Sequence, residues 1–262
     1  MDGNPVGDPP VEPIELYGVR LPAAWPEEET DALLAFVSPE RRERIGRFRR
    51  REDRMRSLLA ELLARWLLAR RLGVAPGEIR FARNRYGKPY CANGPAHFNL
   101  SHSGDWVVAA AGDGEIGVDV ERMDPDTDLS LARSVFTPAE RDWLDADERG
   151  KRERFFELWT YKESFIKCAG VGLSLPLDSF SVMPRADGTA VIAPERGPAH
   201  AGTEPAFPVR YRECRLKQFP TDARHRLAVC SLGLPLDGAV FRELPLRTLA
   251  AAFTGERRRK TT

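Results

Sequence analysis

The segment FFELWTYKESFIKCAG, residues 155–170, constrains the fold of this 262-residue chain more than any other. Its spacing predicts a helix, and apolar residues occupy almost every side of that helix. Such a helix must be buried over most of its surface. Lys162, Glu163 and Lys167 nevertheless lie within it, and a buried charge needs a partner or a bound ion. The segment therefore predicts a site for charged groups inside the molecule.

Composition places the chain among soluble globular proteins. Apolar residues make up 42% of it and charged residues 30%, and the formal net charge is +1. The whole molecule thus has no electrostatic bias towards nucleic acid or membrane. No apolar run approaches the roughly 18 residues of a membrane span. Residues 1–13 are acidic and Pro-rich and lack the features of a signal peptide. We expect them to form a disordered leader on a cytoplasmic protein.

The cysteines and most histidines show no ligand-like spacing. The absence of a CxxC pair favours reduced thiols over disulfide bonds or zinc. We expect structural roles for three of the four histidines. These residues are Cys91, Cys168, Cys214 and Cys230, and His97, His200 and His225.

Periodicity and capping residues predict the elements of the first part of the chain. Residues 14–21 fit a strand, and Ser38 followed by Pro39 is typical of a helix start. A long amphipathic helix follows and ends at Gly73. The run HFNLSHSGDWVVAAAGDGEIGVDVER, residues 97–122, fits two strands joined in a hairpin by GDGE.

The second part of the chain alternates helices and strands. Thr137 and Glu140 form a capping-box pattern at one helix start, and the apolar helix ends at Gly170. Residues 185–205 are rich in Pro, Gly and Ala and predict a variable loop. Strands are predicted at 179–184, 189–194, 209–216 and 225–232. This mixed order with antiparallel hairpins favours an α+β fold.

The motif IGVDVE carries two carboxylates on one face of a strand. Alternation places Val118 and Val120 inward and Asp119 and Glu121 on the other face, about 7 Å apart. Like charges this close repel unless a cation lies between them. Oxygen ligands of this kind suit Mg²⁺. The alternative is a solvent-facing strand end with two ordinary acids.

Glu163 has two interpretations as well. It can form an i,i+4 ion pair with Lys167, which contributes only a few tenths of a kcal/mol (~0.3) when exposed. It can instead meet Asp119 and Glu121 as a third carboxylate, with Lys162 and Lys167 balancing phosphate charge. The surrounding aromatic residues favour the second hypothesis.

Further candidates are His102 and an Arg-rich run. His102 lies in the polar turn NLSHSG, where it suits phosphate contact or a purely structural role. The arginines at 41–56 are interrupted by acids and lie on helices, so a solvated face explains most of them. One or two can bind a terminal phosphate through a guanidinium fork.

Together these motifs resemble those of the Sfp-type 4′-phosphopantetheinyl transferases. The resemblance spans roughly residues 14–235. Its KES form is similar to the subgroup that serves nonribosomal peptide and polyketide synthases. Residues 1–13, 185–205 and the tail have no clear counterpart. The matching segments are FVSPERRERIGRF, RYGKPY, FNLSHSGDWVV, IGVDVER and FFELWTYKESFIKCAGVGLSLPLDSF.

The resemblance implies two similar α+β halves related by a pseudo-twofold axis, with coenzyme A in the cleft between them. The halves correspond to residues 14–115 and 116–240. A C-terminal tail at 241–262 follows, and we expect its last segment, TGERRRKTT, to be frayed. A two-half chain of this kind implies a monomer.

The resemblance also implies roles for individual residues. Asp119, Glu121 and Glu163 would hold Mg²⁺, and Glu163 and Lys167 would serve catalysis. Glu140 matches a position discussed as a possible base, although its capping box explains it equally well. The implied coenzyme A contacts are Arg41, Arg44 and Arg47, Tyr86, Gly87, Lys88 and Pro89, Ser101 and His102, and Lys162 and Lys167.

The implied activity is transfer of the 4′-phosphopantetheine arm of coenzyme A to a serine of an apo acyl or peptidyl carrier protein, with release of 3′,5′-ADP. The alternative is a non-catalytic module that binds nucleic acid or carrier proteins through the Arg-rich helices. The near-neutral charge and the three carboxylates weigh against it. We expect carrier docking at residues 123–136, where Leu129 and Leu131 follow a polar turn. Packing of both leucines within their own half is the alternative.

Overall fold

The structure of the chain, a computed structural model, describes residues 13–195 and 209–259. Nearly all of the predicted leader and the second part of the predicted loop at 185–205 lie outside these residues. The strands are β1 (Glu15–Arg20), β2 (Phe81–Arg83), β3 (Pro89–Cys91), β4 (His97–Ser103), β5 (Trp106–Gly112), β6 (Ile116–Arg122), β7 (Phe180–Pro184), β8 (Thr189–Pro194), β9 (Arg215–Gln218), β10 (His225–Ser231) and β11 (Phe241–Glu243). The helices are α1 (Glu27–Leu34), α2 (Pro39–Gly46), α3 (Arg51–Leu72), α4 (Ala132–Val135), α5 (Pro138–Asp145), α6 (Lys151–Ala169) and α7 (Leu246–Arg259).

Two sheets form the centre of the molecule. The first has the strand order β11-β1-β5-β4, and the second has the order β6-β10-β9-β8-β7. A separate two-stranded ribbon joins β2 and β3. In the first sheet β11 runs parallel to β1, whereas the other neighbours are antiparallel. The mixture of helices with largely antiparallel sheets confirms the α+β class.

The packing places one long helix outside each sheet. Apolar side chains of α3 cover the face of β5 that carries Val107 and Ala109. The opposite face of β5 packs against Val118 and Val120 of the second sheet. Helix α6 covers the outer face of that sheet, where Phe165 meets Ala228 and Phe180. The layers are therefore α3, first sheet, second sheet and α6.

Capping residues act as their sequence predicts. The Ser38 side chain accepts the backbone N–H of Arg41 at the start of α2, and Thr137 and Glu140 form the capping box of α5. Gly73 and Gly170 end α3 and α6 with φ of 67°, a left-handed conformation in which a side chain is strained. None of the described helices combines the length and apolarity needed to cross a membrane.

Three predictions for the elements are wrong. GDGE does not form a hairpin, because β5 and β6 belong to different sheets and the hairpin joins β4 to β5. Every residue of β5 is buried, so its sequence carries no alternation that could assign its neighbours. The strand predicted at 209–216 is mostly a 3₁₀ helix over Val209–Glu213.

The third wrong prediction concerns residues 241–262, which were expected to form a tail outside the two halves. Residues 241–243 form β11 beside β1, and α7 buries Leu249 and Phe253 in the core of the first half. The spacing of Leu246, Leu249 and Phe253 gives α7 one apolar side, which accounts for its docking. The chain therefore returns from the second half to the first.

Candidate functional site

Asp119 lies at the centre of the site. The alternation of β6 buries Val118 and Val120 between the sheets and turns Asp119 towards α6. Only 1% of Asp119 is exposed. Its Oδ1 accepts hydrogen bonds from Ser101 Oγ at 2.9 Å and Lys167 Nζ at 2.5 Å. Its Oδ2 is buried with no hydrogen-bond partner within the described ranges, an arrangement that costs free energy unless another group binds there.

Gly117 explains how α6 comes so close to β6. A Cβ at this position would lie 2.0 Å from the carbonyl oxygen of Ser164 and 2.3 Å from the backbone nitrogen of Cys168. Only glycine permits such close contact between a strand and a helix backbone. This contact brings Glu163 and Lys167 over the carboxylate of Asp119, and sequence reasoning had assigned it no role.

The three predicted carboxylates influence one another. Burial raises the pKa of Glu121 to about 7, and the charges of Asp119 and Glu163 add to that shift. Burial and then Asp119 also raise the pKa of Glu163. Glu121 accepts a hydrogen bond from Ser103 Oγ at 2.7 Å. Among the described residues Lys167 pairs with Asp119 and not with Glu163, so the simple i,i+4 pair is wrong. The cluster has the features of a cation site.

A cleft of about 320 Å³ lies beside these carboxylates. It brings the RYGKPY loop of the first half against α6 of the second half, at Glu163 and Lys167. The predicted coenzyme A contacts of the RYGKPY loop and Lys167 therefore share one cavity. The residues that line it are Tyr86, Gly87, Lys88, Pro89, Asn99, Leu100, Glu163, Ile166, Lys167, Gly170 and Gly172.

Lys88 joins the two halves through its ammonium group. Lys88 Nζ donates to the carbonyl oxygens of Ile116 and Cys168, both at 3.0 Å, and burial lowers its pKa. Its charge is thus already bound, so its part in the cleft is to shape the wall. Asn84 in the adjacent turn also joins the two halves, because Asn84 Nδ2 donates a hydrogen bond to Gly170 O at 2.9 Å. Sequence reasoning missed Asn84, although an Asn two residues before Tyr86 is a common turn signal.

His102 and Ser101 point to opposite sides of β4. Ser101 is buried against Asp119, whereas His102 is exposed. The pKa of His102 is lowered by loss of hydration and then by the charges of Arg56 and Lys167. His102 therefore lies near the cationic edge of the site, and it is uncharged at neutral pH.

The three predicted arginines differ in their partners. Arg41 is bound to α3, with Nε 2.9 Å from Glu61 and Nη2 3.0 Å from Ser57 Oγ. Arg47 pairs with Glu43 at 2.6 Å on an exposed surface. Arg44 is exposed, and its side chain makes no hydrogen bond or ion pair with other described residues. Of the three, Arg44 is the one whose guanidinium is free for an anionic ligand.

Glu140 and Lys162 do not belong to the site. Lys162 Nζ lies 2.9 Å from Glu140 Oε2 and donates to the carbonyl oxygens of Leu177 and Phe180 at 2.6 and 2.7 Å. Glu140 also accepts the Val182 N–H at 2.7 Å. Both side chains are at most 1% exposed. The structure therefore places the predicted base Glu140 and the predicted phosphate contact Lys162 in the core rather than at the cleft. Lys162 and Glu163 are adjacent on α6 and so face different sides of the helix, whereas Glu140 belongs to α5 and takes part in its capping box.

A carboxylate cluster beside a cleft between two α+β halves has the chemistry that suits a cation and a phosphate-bearing ligand. Comparison with known sequences identifies the class. Residues 115–230 match the 4′-phosphopantetheinyl transferase superfamily, and residues 24–114 match the N-terminal region of 4′-phosphopantetheinyl transferases.

Individual relatives agree with this match. The chain is 38% identical over 220 residues to 4′-phosphopantetheinyl transferase ffp of Bacillus subtilis, covering 83% of this chain and 92% of the relative. Identity to Sfp of Bacillus subtilis strain 168 is 37% with the same coverage. The chain is 38% identical to 4′-phosphopantetheinyl transferase gsp of Aneurinibacillus migulanus over 168 residues. That match covers 64% of this chain and 70% of the relative. The chain belongs to the 4′-phosphopantetheinyl transferase superfamily, which confirms the resemblance and the prediction of a transferase.

Proposed function

We propose that this protein transfers the 4′-phosphopantetheine arm of coenzyme A to a serine of an apo acyl or peptidyl carrier protein of secondary metabolism, releasing 3′,5′-ADP. The observation that carries the proposal is the convergence of Asp119, Glu121 and Glu163 beside the cleft between the halves. Because one chain supplies both walls of the cleft, it can act as a monomer. We assign the reaction to the cytoplasm.

The site fits a divalent cation with oxygen ligands. The buried Oδ2 of Asp119 has no hydrogen-bond partner among the described residues. The pKa values of Glu121 and Glu163 are raised in the absence of a cation. Asp119, Glu121 and Glu163 would hold Mg²⁺, which is a common partner of carboxylates and phosphate oxygens. When bound, Mg²⁺ would neutralise charge on the pyrophosphate and on the leaving group.

The side chains of the cleft supply position and charge. Lys167 Nζ is fixed by Asp119 and Ser101 and places a positive charge beside the phosphates. Glu163 is half-buried with a raised pKa, which suits a group that removes the proton of the attacking serine hydroxyl. The serine oxygen forms a bond to the β-phosphorus of coenzyme A as the bond to 3′,5′-ADP breaks. Such reactions depend chiefly on positioning and charge stabilisation.

The remaining contacts with coenzyme A come from the first half. Tyr86 and Gly87 line the cleft and would contact the adenine. Arg44 would contact the 3′-phosphate, since its guanidinium has no bonded partner in the described residues. His102 would lie near the same phosphates as a hydrogen-bonding group.

Incubation of the purified protein with coenzyme A, Mg²⁺ and a panel of apo carrier proteins tests the proposal. The expected result is a mass gain of one phosphopantetheine on the carrier serine. No transfer to any carrier would contradict the proposal. Tight, steeply salt-dependent duplex binding without transfer would instead identify a nucleic-acid-binding module.

A further inference from the structure

Three of the four cysteines meet inside the second half. The Sγ atoms of Cys168, Cys214 and Cys230 all lie within 4.8 Å of one another, and all three side chains are buried. They come from the last turn of α6, the residue preceding β9, and β10. Cys91 lies in the core of the first half. The spacing of the cysteines in the sequence predicted thiols without a metal. The fold nevertheless brings three of them together, and sequence spacing could not predict this.

The cluster has cationic neighbours. Lys88 Nζ donates to Cys168 O at 3.0 Å, and its charge acts on both Cys168 and Cys230. The guanidinium of Arg210 lies close enough to act on Cys214. Positive charges beside thiols favour the thiolate form. Lys88 and Arg210 would therefore offset part of the negative charge of bound thiolates.

The three thiols also influence one another's pKa. Cys168 and Cys230 lower the pKa of Cys214 to about 5. The Cys214 thiol raises the pKa of Cys168, and burial followed by the neighbouring thiols raises that of Cys230. The sulfur atoms thus point at one another. Apolar packing alone would be served by any small side chain and does not require three sulfurs to converge.

A further oxygen and a cavity lie beside the cluster. Glu115 Oε2 is buried without a hydrogen-bond partner in the described part of the chain, while Glu115 Oε1 lies 3.4 Å from Arg210. Glu115 and Cys168 line one side of a cavity of about 340 Å³ that also includes Asn84 and Lys88. This cavity therefore reaches the cluster at Cys168, beside the carboxylate of Glu115.

We propose that Cys168, Cys214 and Cys230 form a site for one thiophilic metal ion, Zn²⁺ or a softer ion of the same charge. Thiolates are preferred ligands of such ions. On binding, three S–H bonds break, three sulfur–metal bonds form, and three protons pass to solvent. The fourth position would be taken by water or by the carboxylate of Glu115. This site is separate from the three carboxylates, which suit a hard ion.

Titration of the reduced protein with Cd²⁺ tests the site, because cadmium–thiolate bonds have their own ultraviolet charge-transfer absorption. We expect an absorption that saturates at one equivalent, resists excess Mg²⁺ and disappears when a strong chelator removes the Cd²⁺. Cd²⁺ bound by carboxylates would give no such absorption. A folded wild-type protein that shows no saturable thiolate absorption overturns the proposal, whatever the variants do.

Cysteine variants locate the ligands. Cys214→Ala should weaken Cd²⁺ binding at least tenfold, and Cys230→Ser should do the same. Cys91→Ala is the matched control and should titrate as the wild type does. Thermal melting with one equivalent of Zn²⁺ gives a second measurement, since binding to the native state raises Tm. Wild-type affinity in both folded cluster variants, or loss of the absorption in Cys91→Ala, would overturn the assignment.

Discussion

At the scale of single residues, the charged side chains Lys162, Glu163 and Lys167 of α6 have three different environments. Lys162 is neutralised by Glu140 in the core of the second half, and Lys167 is held by Asp119 at the edge of the cleft. Glu163 stays half-buried beside the other carboxylates, and its pKa is raised. One apolar helix can therefore carry a structural ion pair on one side and a functional cluster on the other.

Replacement of Asp119 tests the role of the carboxylate cluster. Asp119→Asn preserves shape but removes the charge that binds Lys167 and, in our proposal, the cation. We expect kcat to fall by roughly 10²–10³, the scale for losing one preorganised electrostatic group. Asp31→Asn, at an exposed carboxylate of α1, is the control and should retain full turnover. Unchanged kcat in Asp119→Asn would remove the carboxylate from the mechanism.

The raised pKa of Glu121 predicts how stability depends on pH. Burial and the charge of Asp119 raise this pKa from 4.5 to about 7, so the folded protein binds the proton more tightly than the unfolded chain. In chelator, the contribution of Glu121 to stability should therefore decrease as pH rises from about 4.5 through 7. Mg²⁺ should raise Tm more at pH 8 than at pH 5. Thermal melting of wild type and Glu121→Gln checks this, and an equally large Mg²⁺ effect at both pH values would contradict it.

Lys162 provides the contrasting case of a structural charge. Lys162→Met leaves Glu140 buried without its partner, and breaking a buried ion pair typically costs about 3–5 kcal/mol. We expect a large fall in the free energy of unfolding, partly recovered in the double variant with Glu140→Gln. Denaturant unfolding measures both. If Lys162→Met kept its stability but had a raised KM for coenzyme A, Lys162 would be a phosphate contact instead.

At the scale of elements, the segment after β6 has the shape expected of a docking surface. Leu129 is half-buried and packs with the cluster around Phe136, whereas Leu131 is 47% exposed. A cavity of about 610 Å³ lies alongside, lined in part by Leu129, Arg133 and Arg141. The two leucines thus divide between the two hypotheses for this segment.

Paired variants separate docking from packing. Leu131→Asp should raise KM for the carrier protein several-fold, with unchanged affinity for coenzyme A and unchanged Tm, because its side chain is exposed. Leu129→Asp should lower Tm, since it places a charge against apolar neighbours. Steady-state kinetics and thermal melting measure these effects. Normal carrier kinetics in Leu131→Asp would place the docking surface elsewhere.

At the scale of the whole molecule, local patterns predicted which side chains share a face better than they predicted which strands pair. Alternation was sufficient to place Asp119 and Glu121 on one face of β6, and the apolar surroundings of Glu163 predicted that it is not fully exposed, because both patterns are local. The pairing of β5 could not be predicted from a strand that is apolar on both faces. The contacts of Lys88 and the meeting of three cysteines depend on residues far apart in the chain, which no local pattern reports.

The last prediction concerns the C-terminal segment, which returns to the first half and packs there. Leu249 of α7 is fully buried in the core formed with α3, although it lies far from that helix in sequence. Leu249→Ala should reduce the free energy of unfolding by about 2–5 kcal/mol, the usual cost of a cavity in a packed core. Arg247→Ala, on the exposed side of α7, is the matched control and should change it by less than about 0.5 kcal/mol. Denaturant unfolding of both variants makes the comparison. If α7 were a frayed tail, the two substitutions would have equally small effects, because neither side chain would lose packing on replacement.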